Sequence, residues 1–123
     1  MQTTRQAGEV IKAGELEIRP SEYMALAGGR ALTLSVRELD LLAALGRREG
    51  RIVPREELYS VVWGEPYRKS DRSVDVYVGK LRQKLGRVLP GRNVIHTHFG
   101  FGYRFTSLSQ ERDTRVTDWG PVP

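Results

Sequence analysis

The sequence contains no cysteine, only two histidines and no long apolar run. Without cysteine there can be no disulfides, thiolate metal sites or thiol nucleophiles, which fits a reducing compartment. No stretch approaches the roughly 18 apolar residues of a membrane span, and no signal-peptide pattern opens the chain. A cytoplasmic protein without membrane contact is expected. A G-x-x-x-x-G-K-[ST] phosphate loop is also lacking, as is any nucleophile grouped with a base. No catalysis and no cofactor are therefore expected. The 123 residues suffice for one domain with a core, and 39% hydrophobic with 28% charged residues is ordinary for a globular protein.

Acidic residues are scarce in one part of the chain. Residues 1–50 hold 7 Lys/Arg and 7 Asp/Glu, whereas residues 51–104 hold 11 against 5, a net of +6. Residues 105–123 hold 2 against 3. The excess is densest between Arg68 and Arg92. Localised positive charge of this kind is the footprint of a polyanion partner, although a solvated basic surface would look the same.

Residues 1–9 are polar and read as a linker or arm. In GELEIRP (14–20), Leu16 and Ile18 alternate with Glu15, Glu17 and Arg19, the pattern of a half-buried strand. A hairpin follows, with Met24 and Leu26 before Gly28-Gly29 and Leu32 and Leu34 after it. The period then lengthens. Ser35 with Glu38 forms a capping box, and Val36, Leu39, Leu42 and Ala43 continue at helical spacing towards Gly46 or Gly50. RIV (51–53) is a connector or a single bridge of strand. Pro54 opens a second helix with Leu58, Val61 and Val62 on its apolar side, Trp63 at its end and Gly64 beyond it. A polar loop, 65–71, leads to a third helix over 72–85. Another hairpin is expected over 93–105, with β-branched and aromatic residues around Gly100 and Gly102. A domain over 10–106 with a flexible tail over 107–123 is the expected organisation, and its class is α+β.

The third helix carries the most information. At about 100° per residue, Val74, Tyr77, Val78, Leu81 and Leu85 share one side. Arg72, Val76, Gly79, Lys80, Gln83 and Arg87 share the other, flanked by Asp75 and Arg82 and, opposite them, Lys84. A helix docked by its apolar stripe and presenting cations outward suits the major groove of DNA. The wheel alone equally describes an ordinary amphipathic surface helix. The helix before it, the hairpin after it and the charge centred on it favour helix-turn-helix plus wing.

The strings LTLSVRELDLLAALGRREGRIVPREELYSVVWG, RSVDVYVGKLRQKLG and VIHTHFGFGYRF together resemble the OmpR/PhoB-type winged-helix effector domains of bacterial response regulators, from about Gly14 to Phe105. The resemblance implies a four-stranded N-terminal sheet, three helices and a C-terminal hairpin wing over 95–105. It implies sequence-specific binding of double-stranded DNA, as head-to-tail dimers on direct repeats. Arg72 would then meet phosphate, and Asp75 would lie near base edges or orient neighbouring cations. Lys80 and Arg82 would face the groove and backbone, and Thr97 would contact phosphate. Ser73, Val76, Tyr77, Gln83, Lys84 and Arg104 complete the expected DNA-binding set, whereas Tyr103 packs. The loop 65–71, with Glu65, Tyr67 and Arg68, corresponds to a segment that can engage RNA polymerase. A sensor kinase would act only through a receiver domain, which these residues do not contain. Two positions depart from the family pattern. Gly79 stands where members often carry a basic side chain, and Phe99 stands in place of a wing arginine. Phe99 is expected to pack on the hairpin or to wedge against sugars or a base step. His96 and His98 share a strand face but lack a third metal ligand, so packing is the expectation for His98. The alternative from another class is a winged-helix interaction module for an acidic protein.

Overall fold

The computed structural model describes residues 8–107, and the sequence-based expectations for residues 1–7 and 108–123 lie outside the described residues. The N-terminal sheet is an antiparallel meander of β1 (Ile11–Ala13), β2 (Leu16–Arg19), β3 (Met24–Ala27) and β4 (Arg30–Ala31). A short 3-10 turn over Pro20–Glu22 separates β2 from β3. Three helices follow: α1 (Val36–Arg47), α2 (Arg55–Trp63) and α3 (Ser73–Val88). The wing consists of β6 (Ile95–His98) and β7 (Gly102–Phe105). Residues 51–53 do supply a strand, β5 (Ile52–Val53), which pairs with β7 on the side away from β6. The α+β winged arrangement is the one expected.

Local chemistry accounts for most boundaries. The Ser35 hydroxyl accepts from the Glu38 N–H at 3.1 Å while the Glu38 carboxylate accepts from the Ser35 N–H at 2.9 Å, closing both halves of the capping box on α1. Gly64 takes the left-handed conformation that ends α2, with φ 73°. Asp71 accepts from the Ser73 N–H at 2.8 Å and so satisfies a first-turn donor of α3.

One expectation needs correction. The third helix continues past Gly86 to Val88, because Leu89 is buried and its N–H bonds to the Leu85 carbonyl at 2.7 Å. In β3 the inward residues are Ala25 and Ala27, while Met24 is 40% exposed and Leu26 half-buried. Small side chains inside this strand leave room for Leu16 and Ile18 of its neighbour, which are 2% and 0% exposed. β1 supplies the fourth strand that the resemblance implies, pairing Ile11 with Ile18.

The core lies between the sheet, the three helices and the inner face of the wing. Ile18, Leu41, Leu42, Leu45, Leu58, Val74, Leu81, Ile95 and Phe105 are fully buried there. Glu9 makes a two-pronged pair with Arg47, both bonds 2.8 Å, and the Ser107 N–H bonds to Glu49 at 3.0 Å.

Candidate nucleic-acid interface

α3 lies on the domain by Val74, Val78, Leu81 and Leu85, all buried. The opposite side exposes Arg72, Val76, Gly79, Lys80, Gln83, Gly86 and Arg87. The spacing of 3.6 residues per turn makes these one continuous stripe. A methyl placed on Gly79 would meet no atom within 4 Å, so its missing side chain serves no packing purpose. Asp75 is the single acidic residue of α3 and lies on the flank of the stripe, within reach of Arg72 at its start. Its carboxylate accepts from Arg55 Nε at 2.7 Å, from the Tyr103 hydroxyl, and from Arg72 at 3.4 Å. Burial by itself would raise the Asp75 pKa, but these donors outweigh it and hold the group below its ordinary value. Tyr103, by contrast, is pushed up by burial and by the bond to Asp75. Of the two roles raised for Asp75, the geometry fits the orientation of neighbouring cations.

The other predicted residues divide by where their charge points. Arg82 is half-buried and donates to the Ile95 carbonyl through Nε and Nη2, at 3.1 and 2.6 Å, and to the Thr97 hydroxyl at 2.8 Å. Burial lowers its pKa. Lys84 donates to Glu38 at 2.7 Å and to the Thr33 carbonyl at 2.9 Å. Both cations are thus tied to other elements instead of standing free on the helix surface. Thr97, whose oxygen accepts from Arg82, still has a hydroxyl proton to give. Tyr77 fills the seam between α2 and α3, edge-to-face with Trp63 at 5.5 Å, and Lys80 lies 4.7 Å from its ring centroid. Arg104 donates to His98 Nε2 at 3.2 Å on the outer side of the wing. Ser73 sits in the first turn of α3, half-buried. Glu65 and Arg68 of the loop are exposed, and Tyr67 leans edge-on against Tyr59 at 5.6 Å.

Phe99 does not pack on the hairpin: it is 86% exposed at the wing tip, beside Phe101 at 71%. The tip is a tight turn in which the Phe101 N–H bonds to the His98 carbonyl at 2.8 Å, and no strand partner is left for either ring to cover. Arg55 and Phe101 were not singled out from the sequence. Arg55 is joined to Asp75 across twenty residues, which no local spacing reveals. Phe101 carried a signal, since an aromatic on each side of a turn glycine places both at a tip. Among the described residues no group of three or more His, Cys, Asp or Glu could hold a metal ion, and no helix is long and apolar enough to cross a membrane.

A three-helix core, a cationic third helix and a hairpin wing define a winged-helix DNA-binding domain. The family model described as "Transcriptional regulatory protein, C terminal" matches residues 29–105, and the chain belongs to that family. Bacillus subtilis alkaline phosphatase synthesis transcriptional regulatory protein PhoP is 34% identical over 104 residues, which is 85% of this chain and 43% of PhoP. The chain thus spans less than half of that relative. The DNA-binding domain of Escherichia coli CpxR superposes with a TM-score of 0.73 at 28% identity, covering 80% of this chain and 97% of that one. The RstA DNA-binding domain of Klebsiella pneumoniae, solved in complex with the RstA box, gives 0.72 at 32% identity, covering 81% and 99%. The domain is a response-regulator type of DNA-binding module acting in transcription regulation.

Proposed function

We propose that α3 enters the major groove of duplex DNA, with Arg72 on phosphate and Val76, Gly79, Lys80 and Gln83 facing base edges. The observation that carries this reading is the asymmetry of α3: its outward stripe is cationic, and its one carboxylate lies on the flank, held by Arg55 and Tyr103 and reaching the stripe only at Arg72. A surface without acid beside an array of exposed cations attracts phosphate and repels nothing on it. Arg68, Lys69 and Arg87 extend that exposed charge, whereas Arg82 and Lys84 act by holding the helix in place. Thr97 gives its proton to a phosphate, and Ser73 and Tyr77 flank the backbone track. Arg104 supports the wing.

The domain binds direct repeats as a head-to-tail dimer, within a cytoplasmic regulator. The exposed part of the loop, at Glu65 and Arg68 beside Tyr67, meets RNA polymerase. In a longer protein the controlling signal comes from a sensor kinase through a receiver domain. The bound state of the RstA relative supports the DNA reading. Selection of bound duplexes from a randomised pool tests it. Enrichment of a repeated motif, protected from hydroxyl radicals on one face, is expected. Recovery of random sequence together with tight capture of an acidic peptide would favour the protein-interaction alternative.

A further inference from the structure

The wing has almost no charge to offer to DNA. Between Asn93 and Phe105 the sole Lys, Arg, Asp or Glu is Arg104, already engaged with His98. His96 and His98 both have pKa values lowered by burial and then by Arg104, which leaves them neutral near pH 7. What the wing presents instead is Phe99-Gly100-Phe101, with the two rings 86% and 71% exposed, the highest values among the large exposed hydrophobics of the described residues. Gly100, at φ 83°, makes the turn that sets a ring on each side. The root beneath is rigid. Arg82 clamps β6 to α3, and the Gly102 backbone passes so close to Val53 that a methyl there would lie 2.0 Å from the Val53 carbonyl oxygen. The tip is therefore held at a fixed place relative to α3. The helix itself carries few side chains for reading, with Gly79 and Gly86 both facing open space.

We propose that Phe99 and Phe101 form an apolar wedge that enters the minor groove next to the major groove occupied by α3, opens a base step and bends the duplex. The wing then selects for deformability of the DNA instead of adding a cationic contact. This rests on the DNA reading given above. Apolar side chains pressed between base pairs unstack them and kink the duplex towards the major groove. Pyrimidine–purine steps yield most easily, so they are the expected site. DNA, and not a protein or lipid surface, is the occupant because the tip is clamped to the helix whose outward face is cationic.

The test uses the chain as it stands and a duplex selected by it from a randomised pool. 2-Aminopurine is placed at successive steps across the site, and end-labelled duplexes report the bend by energy transfer. Wild type should brighten the probe at one step and shorten the end-to-end distance. Phe99→Ala with Phe101→Ala should lose affinity about tenfold or more, abolish both signals and leave the salt dependence unchanged. Leucine at both positions should restore most of each signal, and thermal melting should be unaltered because both rings lie outside the core. A double alanine variant that bends and brightens like wild type would overturn the proposal, as would weaker binding with both signals intact. Wild type that binds no duplex would overturn the DNA reading itself.

Discussion

Arg55 of α2 donates to Asp75 of α3 at 2.7 Å, and the Tyr103 hydroxyl of β7 donates to the same carboxylate. α2, α3 and the wing therefore meet at one side chain, with the Arg55 guanidinium also 5.3 Å from the Tyr103 ring centroid. Asp75→Ala removes the acceptor and leaves a half-buried cation and hydroxyl facing each other. A loss of about 2–3 kcal/mol in chemical denaturation is expected, and Asp75→Asn, which keeps an acceptor oxygen, should lose less. The folded-state pKa of Asp75 is depressed, so its contribution is present above the ordinary carboxylate range and lost as pH falls through the lowered value.

Lys84 and Glu38 make a second joint, between α3 and the start of α1. Glu38 is 4% exposed and the pair is 2.7 Å apart. Lys84→Met leaves that carboxylate buried with Ser35 but without its cation, and should cost about 3 kcal/mol. Adding Glu38→Gln should recover part of the loss in a double-mutant cycle. Because Lys84 is turned to Glu38, the slope of DNA affinity against salt should be the same in Lys84→Met as in wild type.

Gly79 is a helix-interior residue with open space around it, so alanine there should stabilise. About 0.5–1 kcal/mol is expected, read as a rise in melting temperature. The same substitution should change which duplexes are selected, since it places a methyl on the outward stripe. An unchanged selection would mean that the position reads nothing. Gly102→Ala should act in the opposite sense and destabilise strongly, given the clash with Val53 and a φ of 146°.

Stability should also decline in mildly acidic solution. His96 and His98 have folded-state pKa values below 6.5, so the unfolded chain binds more protons as pH falls. Their contribution is complete above about pH 6.5 and is lost as pH drops from there through the lowered values. Melting temperatures measured from pH 7.5 to 5 should fall, and His96→Gln with His98→Gln should flatten that stretch of the curve.

The sequence revealed features that depend on neighbours in the chain: the capping box at Ser35, the stop at Gly64, the amphipathic stripe of α3, the two wing strands. It concealed those set by distant contact. Lys84 and Arg82 sit on the flanks of the helical wheel, and nothing within α3 says that Glu38 and Thr97 will take their charge. The inward turn of Ala25 and Ala27 follows from packing on the layer beneath, which the hairpin pattern around Gly28-Gly29 does not decide. Phe99 misled for a related reason: a large apolar side chain is assigned to a core unless turn geometry shows that no core is within reach.

The central claim is that the cationic outward stripe of α3 neutralises phosphates, and a salt titration of binding to the selected duplex tests it most directly. The slope of log K against log salt should be negative by several units, at about 0.9 per phosphate neutralised, and Arg72→Ala should reduce its magnitude by about one. A flat response, or a slope that Arg72→Ala leaves untouched, would contradict the account.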